Sequence, residues 1–408
     1  MARTIVRPGV IARLGTTQTL AWASSYYLPA LLAAPLSSDL GIDQSQVFAA
    51  FTLALVISAL VGPRAGRAID DWGGRTVLLV TNGLFALGLG ALALAQTEVH
   101  VWLAWAVLGV AMGSGLYDAA FATLVRLYPV NARNAITGIT LVAGFASTVG
   151  WPLTAWGIET LGWRGTCMGW ATLHLLLGLP LHLGIPREAV ETAASPMPAG
   201  TGSQDAAAPT ARRQAPGMGM ALAISAVFAV TWFTSTAMAA HLPRLLEAQG
   251  LGAGAALAVA MLVGPAQVAG RLLEFGLLRH VHPLLSTRLA AAAHPLGVVI
   301  LMVSGPIGAW TFAGLHGAGN GVLTIAKGTL PLVVFGATGY GQRQGWLMAP
   351  ARIAQAVAPL LFGLAMARWG VGALWLTAGL AVVAMVLLQG MAGRLVDPPI
   401  GPAGQATP

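Results

Sequence analysis

Three cations, Arg271, Lys327 and Arg352, and two acids, Asp118 and Glu274, lie inside long apolar runs of a 408-residue chain that is 56% hydrophobic and 8% charged. A soluble domain carries roughly 25% charged residues, so these five groups sit in apolar surroundings. Burying a charge at membrane depth costs about 2.5–3.5 kcal/mol on insertion scales, which marks each as a candidate for function. A guanidinium stays charged and presents a planar fork matched to a carboxylate. Arg352 has Met348 and Gln355 on its helical face and no acid within one turn. Arg271 shares its face with Gln267 and Glu274, which fits either an anion site or a self-neutralising Arg271–Glu274 pair. Lys327 continues a polar stripe from Asn320 and Thr324; its ammonium either meets a solute or snorkels to the surface. Asp118 follows Ser114 and Tyr117. A carboxylate in a poorly hydrated site takes up a proton near neutral pH, so Asp118 is read either as a coupling residue or as half of a salt bridge to Lys327 or Arg352.

Other residues could line a cavity with these. Tyr26, Tyr27 and Trp22 occupy the first apolar run, and Trp232 and His241 the seventh. A free imidazole takes up a proton near neutral pH, but His241 lies near the outer end of its run. Asp118, Glu274 and His241 are therefore the candidate proton sites. His174, His294 and His316 lack metal-ligand spacing, and no phosphate-binding glycine loop is present. The sequence thus predicts no metal, no cofactor, no ATP drive and no enzyme.

The elements that must hold these groups are apolar runs at 14–36, 46–66, 76–96, 99–125, 135–158, 164–184, 218–245, 252–278, 287–304, 309–334, 345–367 and 370–392. Each is long enough to cross about 30 Å of hydrocarbon as a helix. Lipid offers no partner for backbone polar groups, so helices are expected, and the alternation of barrel strands is absent. The first run is too long and too aromatic for a signal peptide. Cys167 is the single cysteine, so no internal disulfide is possible. The net charge of +8 is read as loop arginines rather than a nucleic-acid surface. With the N-terminus inside, Arg64, Arg67, Arg75, Arg126, Arg133, Arg187, Arg212, Arg213, Arg279, Arg288, Arg343 and Arg394 fall on the inner side, as do Arg3, Arg7 and Arg13. Only Arg164, Arg244 and Arg368 fall outside. That bias predicts both termini in the cytoplasm and a multi-pass protein of a bacterial inner membrane.

Residues 186–217 are rich in Ala, Pro and Gly and read as a flexible linker. They divide a bundle at 1–185 from a bundle at 218–394, with a disordered tail at 395–408. The halves match in order: Tyr27-Leu28-Pro29 with His241-Leu242-Pro243, Gly113-Ser114-Gly115 with Gly319-Asn320-Gly321, Gly138 with Gly345, and Pro152-Leu153 with Pro359-Leu360. Similar offsets indicate an internal duplication. Parallel repeats place a solute site near the midplane between the halves. The fold class expected is an all-α membrane protein of twelve transmembrane helices in two pseudo-symmetric six-helix bundles.

The loop Gly66-Arg67-Ala68-Ile69-Asp70-Asp71-Trp72-Gly73-Gly74-Arg75 resembles the signature between helices 2 and 3 of the major facilitator superfamily. Gly66, Asp70, Gly73 and Arg75 match; Asp71 and Gly74 replace basic positions. Within that superfamily the chain is similar to the monocarboxylate and oxalate/formate transporter branch, through Arg133-Asn134-Ala135-Ile136-Thr137-Gly138 with Gly144, His241-Leu242-Pro243, Arg271 in Val268-Ala269-Gly270-Arg271, and Arg352. The branch's acidic-Gly signature and the helix-1 Lys of its animal members are absent. The resemblance implies that Arg271 and Arg352 bind an anion. It also implies that Asp70 gates the inner side by bonding to the start of the eleventh helix, where the dipole favours an anion. Trp105 stands where many proton-coupled members carry Arg, and Trp151 interrupts the Gly-Pro antiporter signature, so drug antiport is less favoured.

The function expected is secondary transport of a small organic anion, monocarboxylate-like, by alternating access. The drive would be co-transported protons or exchange with a counter-anion, in a protein that is monomeric by family default. Two other readings stay open at this point: an exporter of amphipathic or cationic compounds with Asp118 as the binding acid, and a sensor or scaffold that does not transport.

Overall fold

A computed structural model describes residues 6–187, 217–278 and 281–391. Nearly all of the expected linker, the whole of the expected tail, and Arg3, Arg212, Arg213, Arg279 and Arg394 lie outside the described residues. Every regular element among the described residues is helical. In chain order these are α1 (Pro8–Ala23), α2 (Pro29–Leu40), α3 (Gln44–Trp72), α4 (Gly74–Ala93), α5 (Glu98–Gly115), α6 (Tyr117–Leu127), α7 (Ala132–Ala143), α8 (Ala146–Leu173) and α9 (Leu179–Leu183). Then follow α10 (Met218–Ala248), α11 (Ala253–Gly276), α12 (Pro283–Ser304), α13 (Ala309–Phe335), α14 (Tyr340–Trp369) and α15 (Leu374–Gly390).

Among the described residues, eight helical stretches are long and apolar enough to cross a membrane. The twelve runs expected from sequence differ from this count for two reasons in the backbone. The first run is broken between α1 and α2, where Pro29 opens a new helix, and neither piece is long enough by itself. Three stretches, of 52, 53 and 51 residues, each take in two expected runs without a coil between them. Straight, each would be about 75–80 Å long, far more than a bilayer. Each contains a glycine in the left-handed region, at Gly162 (φ 72°), Gly305 (φ 61°) and Gly370 (φ 56°), where a side chain would be strained. The chain doubles back at the first two: Trp170 Nε1 donates to Thr154 Oγ1 across Gly162 at 3.2 Å, and Gly297 of α12 packs on Phe312 of α13.

Buried apolar side chains form separate clusters. One takes buried residues from Val10 to Ile185 and is joined from the later part of the chain by Tyr340 and Ala356 of α14, with Trp232, Leu332 and Ala337 packed against it. The others use residues from Met220 to Met391. The two sets of helices therefore meet at a seam rather than through a shared core. Its closest approach is between α3 and α14. A Cβ on Gly66 would collide with the Gly341 carbonyl, and one on Gly345 would lie 2.5 Å from the Pro63 backbone. Small residues here let two backbones touch.

Gly66→Val is expected to push α3 and α14 apart by about 2 Å, the spread between close and ordinary interhelical spacings. Spin labels at Asp71 and Thr338, both exposed at this end, measure it by pulsed electron resonance; an unchanged distance distribution would show that the contact does not hold the seam.

Candidate functional site

The seam is tied at the end carrying Asp70. Gly73 (φ 86°) stops α3, and the guanidinium of Arg126 takes the carbonyls of Ile69, at 3.0 Å, and of Asp70. This leaves the Asp70 carboxylate free to cross to the first turn of α14. There it accepts from the backbone N–H of Gly341 at 2.9 Å and of Gln342 at 2.8 Å. These N–H groups have no partner within their own helix, and the helix dipole adds to the attraction for an anion. Arg75 is half-buried and makes no hydrogen bond or ion pair among the described residues. A second tie lies nearby. Arg133, at the start of α7, pairs with Glu274 near the end of α11 at 2.8 Å and donates to the carbonyls of Leu278 and Val281 at 2.9 Å. Glu274 is thus committed to Arg133 across the seam, not to Arg271 on its own helix face.

Halfway along the seam, Asp118 sits in the first turn of α6, just after α5 ends at the extended residue Leu116. Its carboxylate pairs with Arg352 of α14 at 2.6 Å, and Arg352 also donates to Ser58 Oγ of α3 at 2.5 Å. Gln344 donates to Asp118 at 3.4 Å and to the Lys327 carbonyl at 3.1 Å. Arg352 and Asp118 therefore neutralise each other.

Lys327 has no such partner. It is 3% exposed, and its ammonium makes neither an ion pair nor a hydrogen bond among the described residues. It lies 3.8 Å from the ring centroid of Trp232 and 5.9 Å from that of Tyr117, the cation–π arrangement that partly stands in for a counterion. Trp232 stacks on Trp22 across the seam with centroids 6.3 Å apart. Both indole N–H groups are buried without an acceptor. These residues, with Tyr26, Asp118, Arg352 and Gln355, line a narrow cavity at the seam. Its wall is largely aromatic and apolar, with the Lys327 charge and three donors unpartnered among the described residues, the Trp22 and Trp232 indoles and Gln355 Nε2.

The remaining sequence candidates lie elsewhere. Arg271 is buried but does not line this cavity. Its guanidinium reaches the Thr140 carbonyl of α7 at 3.4 Å, in space that a side chain on Gly144 would occupy. Tyr27 packs edge-on against Trp151. His241 Nε2 bonds to the Pro359 carbonyl at 2.8 Å, away from the seam. Asn320 donates to Ser235 at 2.9 Å and lines a second cavity. Sequence reasoning missed Ser58 and Gln344, which complete the surroundings of Asp118 and Arg352. A lone Ser or Gln in an apolar run carries no signal of its partner.

Removing one member of a buried pair strands the other, at a cost of about 3–5 kcal/mol. Asp118→Asn and Arg352→Gln are each expected to lower the melting temperature in detergent, and the double variant to recover most of that loss. Additive losses would show that the two side chains do not interact.

The sequence profile described as Major Facilitator Superfamily matches residues 14–326. Monocarboxylate transporter 11 of Mus musculus is 33% identical over 129 residues, which are 30% of this chain and 28% of that protein. The chain thus spans under a third of that relative's length. Among solved structures, the fucose:proton symporter of E. coli superposes with a TM-score of 0.72 at 14% identity, covering 94% of this chain and 98% of that one. The human organic anion transporter MFSD10 gives 0.67 at 15% identity, over 94% and 100%. At those identities the superpositions speak to fold alone. The profile match covers most of the chain, and with the apolar helices described above it identifies a multi-pass integral membrane transporter: the chain belongs to the major facilitator superfamily.

Proposed function

We propose that this protein is a secondary transporter for a small organic anion, a monocarboxylate or a related acid, held at the seam by Lys327. The observation that carries this reading is the buried Lys327 ammonium against the Trp232 face, with no ion pair among the described residues, beside two indole N–H groups that have no acceptor among them. A carboxylate brings what that wall lacks: one negative charge and several lone pairs. The Asp118–Arg352 pair adds no net charge while it is closed. Protonation of Asp118 would release the Arg352 fork toward the solute, which couples proton uptake to anion binding; exchange with a counter-anion uses the same site without that step. Arg271 takes its place behind α7 as a cation that holds the closed seam through the Thr140 carbonyl.

In this reading the chain crosses the membrane twelve times, with the three long stretches folded at Gly162, Gly305 and Gly370. Residues 1–185 and 218–394 form two six-helix bundles that rock about the seam. Asp70, Gly66 and the Arg133–Glu274 pair close one side. The arginine bias of the loops puts that side, and both termini, in the cytoplasm of a bacterial inner membrane. The similarity to the mouse monocarboxylate transporter supports the solute class. An exporter of cations is disfavoured because Asp118, the acid it would need, is occupied by Arg352.

Thermal stabilisation and counterflow in proteoliposomes, across a panel of carboxylates, test this. At least one carboxylate is expected to stabilise the wild type and support counterflow, with both effects lost in Lys327→Gln. A solute that acts equally on Lys327→Gln would exclude the assigned anchor. Stabilisation by cations only would favour the exporter, and no counterflow with any solute would favour a sensor or scaffold.

A further inference from the structure

The second cavity lies within the later helices. Its wall is built from α10, α12, α13 and α15, with His294, His316, Asn320 and Thr234 among alanine, valine and leucine. His294 Nδ1 and His316 Nδ1 are 3.0 Å apart, and His294 Nε2 is 3.0 Å from Thr377 Oγ1. The Thr377 hydroxyl donates to the Leu374 carbonyl at 2.9 Å.

The bond from Thr377 to the Leu374 carbonyl assigns the protons of the pair. A hydroxyl has one hydrogen, and Thr377 has spent it on Leu374, so it accepts from His294. His294 Nε2 therefore carries the N–H. A neutral imidazole has only one, which makes His294 Nδ1 an acceptor. The contact between the rings then requires His316 Nδ1 to donate, and His316 Nε2 is left as a bare lone pair. That nitrogen has no hydrogen-bond partner among the described residues, on a ring 4% exposed. On the same wall Thr234 Oγ1 is buried and unpartnered as well.

We infer that His316 Nε2 is a proton-accepting site of the transport cycle, separate from Asp118 and linked to Lys327 along one face of α13. This rests on the proton-driven form of the proposed function. His316, Asn320, Thr324 and Lys327 follow at i, i+4, i+8 and i+11, about 16 Å of helix rise. Thr324 bonds to the Asn320 carbonyl at 2.8 Å within that stripe. A proton arriving from water forms the Nε2–H bond and adds one positive charge; the bond from His316 Nδ1 to His294 persists, and nothing is oxidised or reduced. No carboxylate faces the pair. α10 and α15 bring no charged group to the cavity, and α12 brings His294 and, further along, Arg288, whose guanidinium rests on the Leu388 carbonyl at 2.8 Å. α11 brings Arg271, turned to Thr140, and Glu274, paired with Arg133, while Asp118 and Arg352 meet α13 at its Lys327 end. An imidazolium with no acid beside it is stable only when wetted, so loading belongs to an arrangement in which water reaches this cavity. An anion at Lys327 lowers the positive charge along α13, so solute and proton favour each other.

Two measurements test this on the full chain in lipid. In ¹⁵N-histidine spectra at about pH 8, where free imidazole is neutral, the signals missing from His316→Asn report His316. A protonated Nδ1 with a bare Nε2 is expected, and the opposite tautomer would overturn the inference. His316→Asn keeps a side-chain N–H for His294 but has no basic atom. Counterflow is expected to survive in this variant while accumulation driven by a proton gradient is lost; accumulation at the wild-type level would overturn the inference. If no carboxylate supports counterflow even in wild type, the anion reading fails, and the tautomer alone then sustains or removes the proton site.

Discussion

An ammonium buried without a counterion is the constraint on which the rest depends. Lys327 is fixed on a helix whose flank is packed on both sides, so it cannot reach the surface. Gly328 lies against Phe121 and Ile136, and the Lys327 carbonyl is held by Gln344. The Trp232 face eases the charge, and the pair between Asp118 and Arg352 takes the nearest acid out of reach. A protein gains nothing in stability from such an arrangement. The cost is tolerable where a solute supplies the missing charge for part of a cycle, and an intramembrane cation is a functional group by default.

The seam around Lys327 has the chemistry of a joint that opens. Each set of helices has an apolar core of its own. What crosses the seam is two ion pairs, a carboxylate on a helix N-terminus, glycine-lined backbone contact and the aromatic stack of Trp22 on Trp232. Water replaces polar ties at modest net cost, while the glycine contact depends on shape and either forms fully or not at all. A closed state of this kind is specific without being deep, which suits alternation between two states close in free energy.

Much of this was legible in the sequence and some was not, for physical reasons. Charge depletion marked Arg271, Lys327, Arg352, Asp118 and Glu274 because a charge in an apolar run stands out at any register. The Asp70 motif pointed to the start of α14, and its carboxylate does meet Gly341 and Gln342. Partner choice was not legible. Arg271 and Glu274 share a helix face, yet Glu274 bonds to Arg133, which is 141 positions away in the chain. The uncharged parts of the site, Ser58 and Gln344, carried no signal. The count of helices was blurred because a single left-handed glycine can turn an apolar chain without any polar loop. The imidazole pair escaped notice because His294 and His316 have meaning only once their rings are seen to touch.

The most direct measurement of the central claim is the position of a bound carboxylate. Crystals or vitrified particles of the protein with a bromine-bearing monocarboxylate would show the solute by its anomalous or difference density. The account requires its carboxylate within hydrogen-bond distance of Lys327 Nζ, with the body of the solute against Trp22 and Trp232. A carboxylate seated on Arg271 instead, or a seam that excludes the anion and admits a cation beside Asp118, would contradict it.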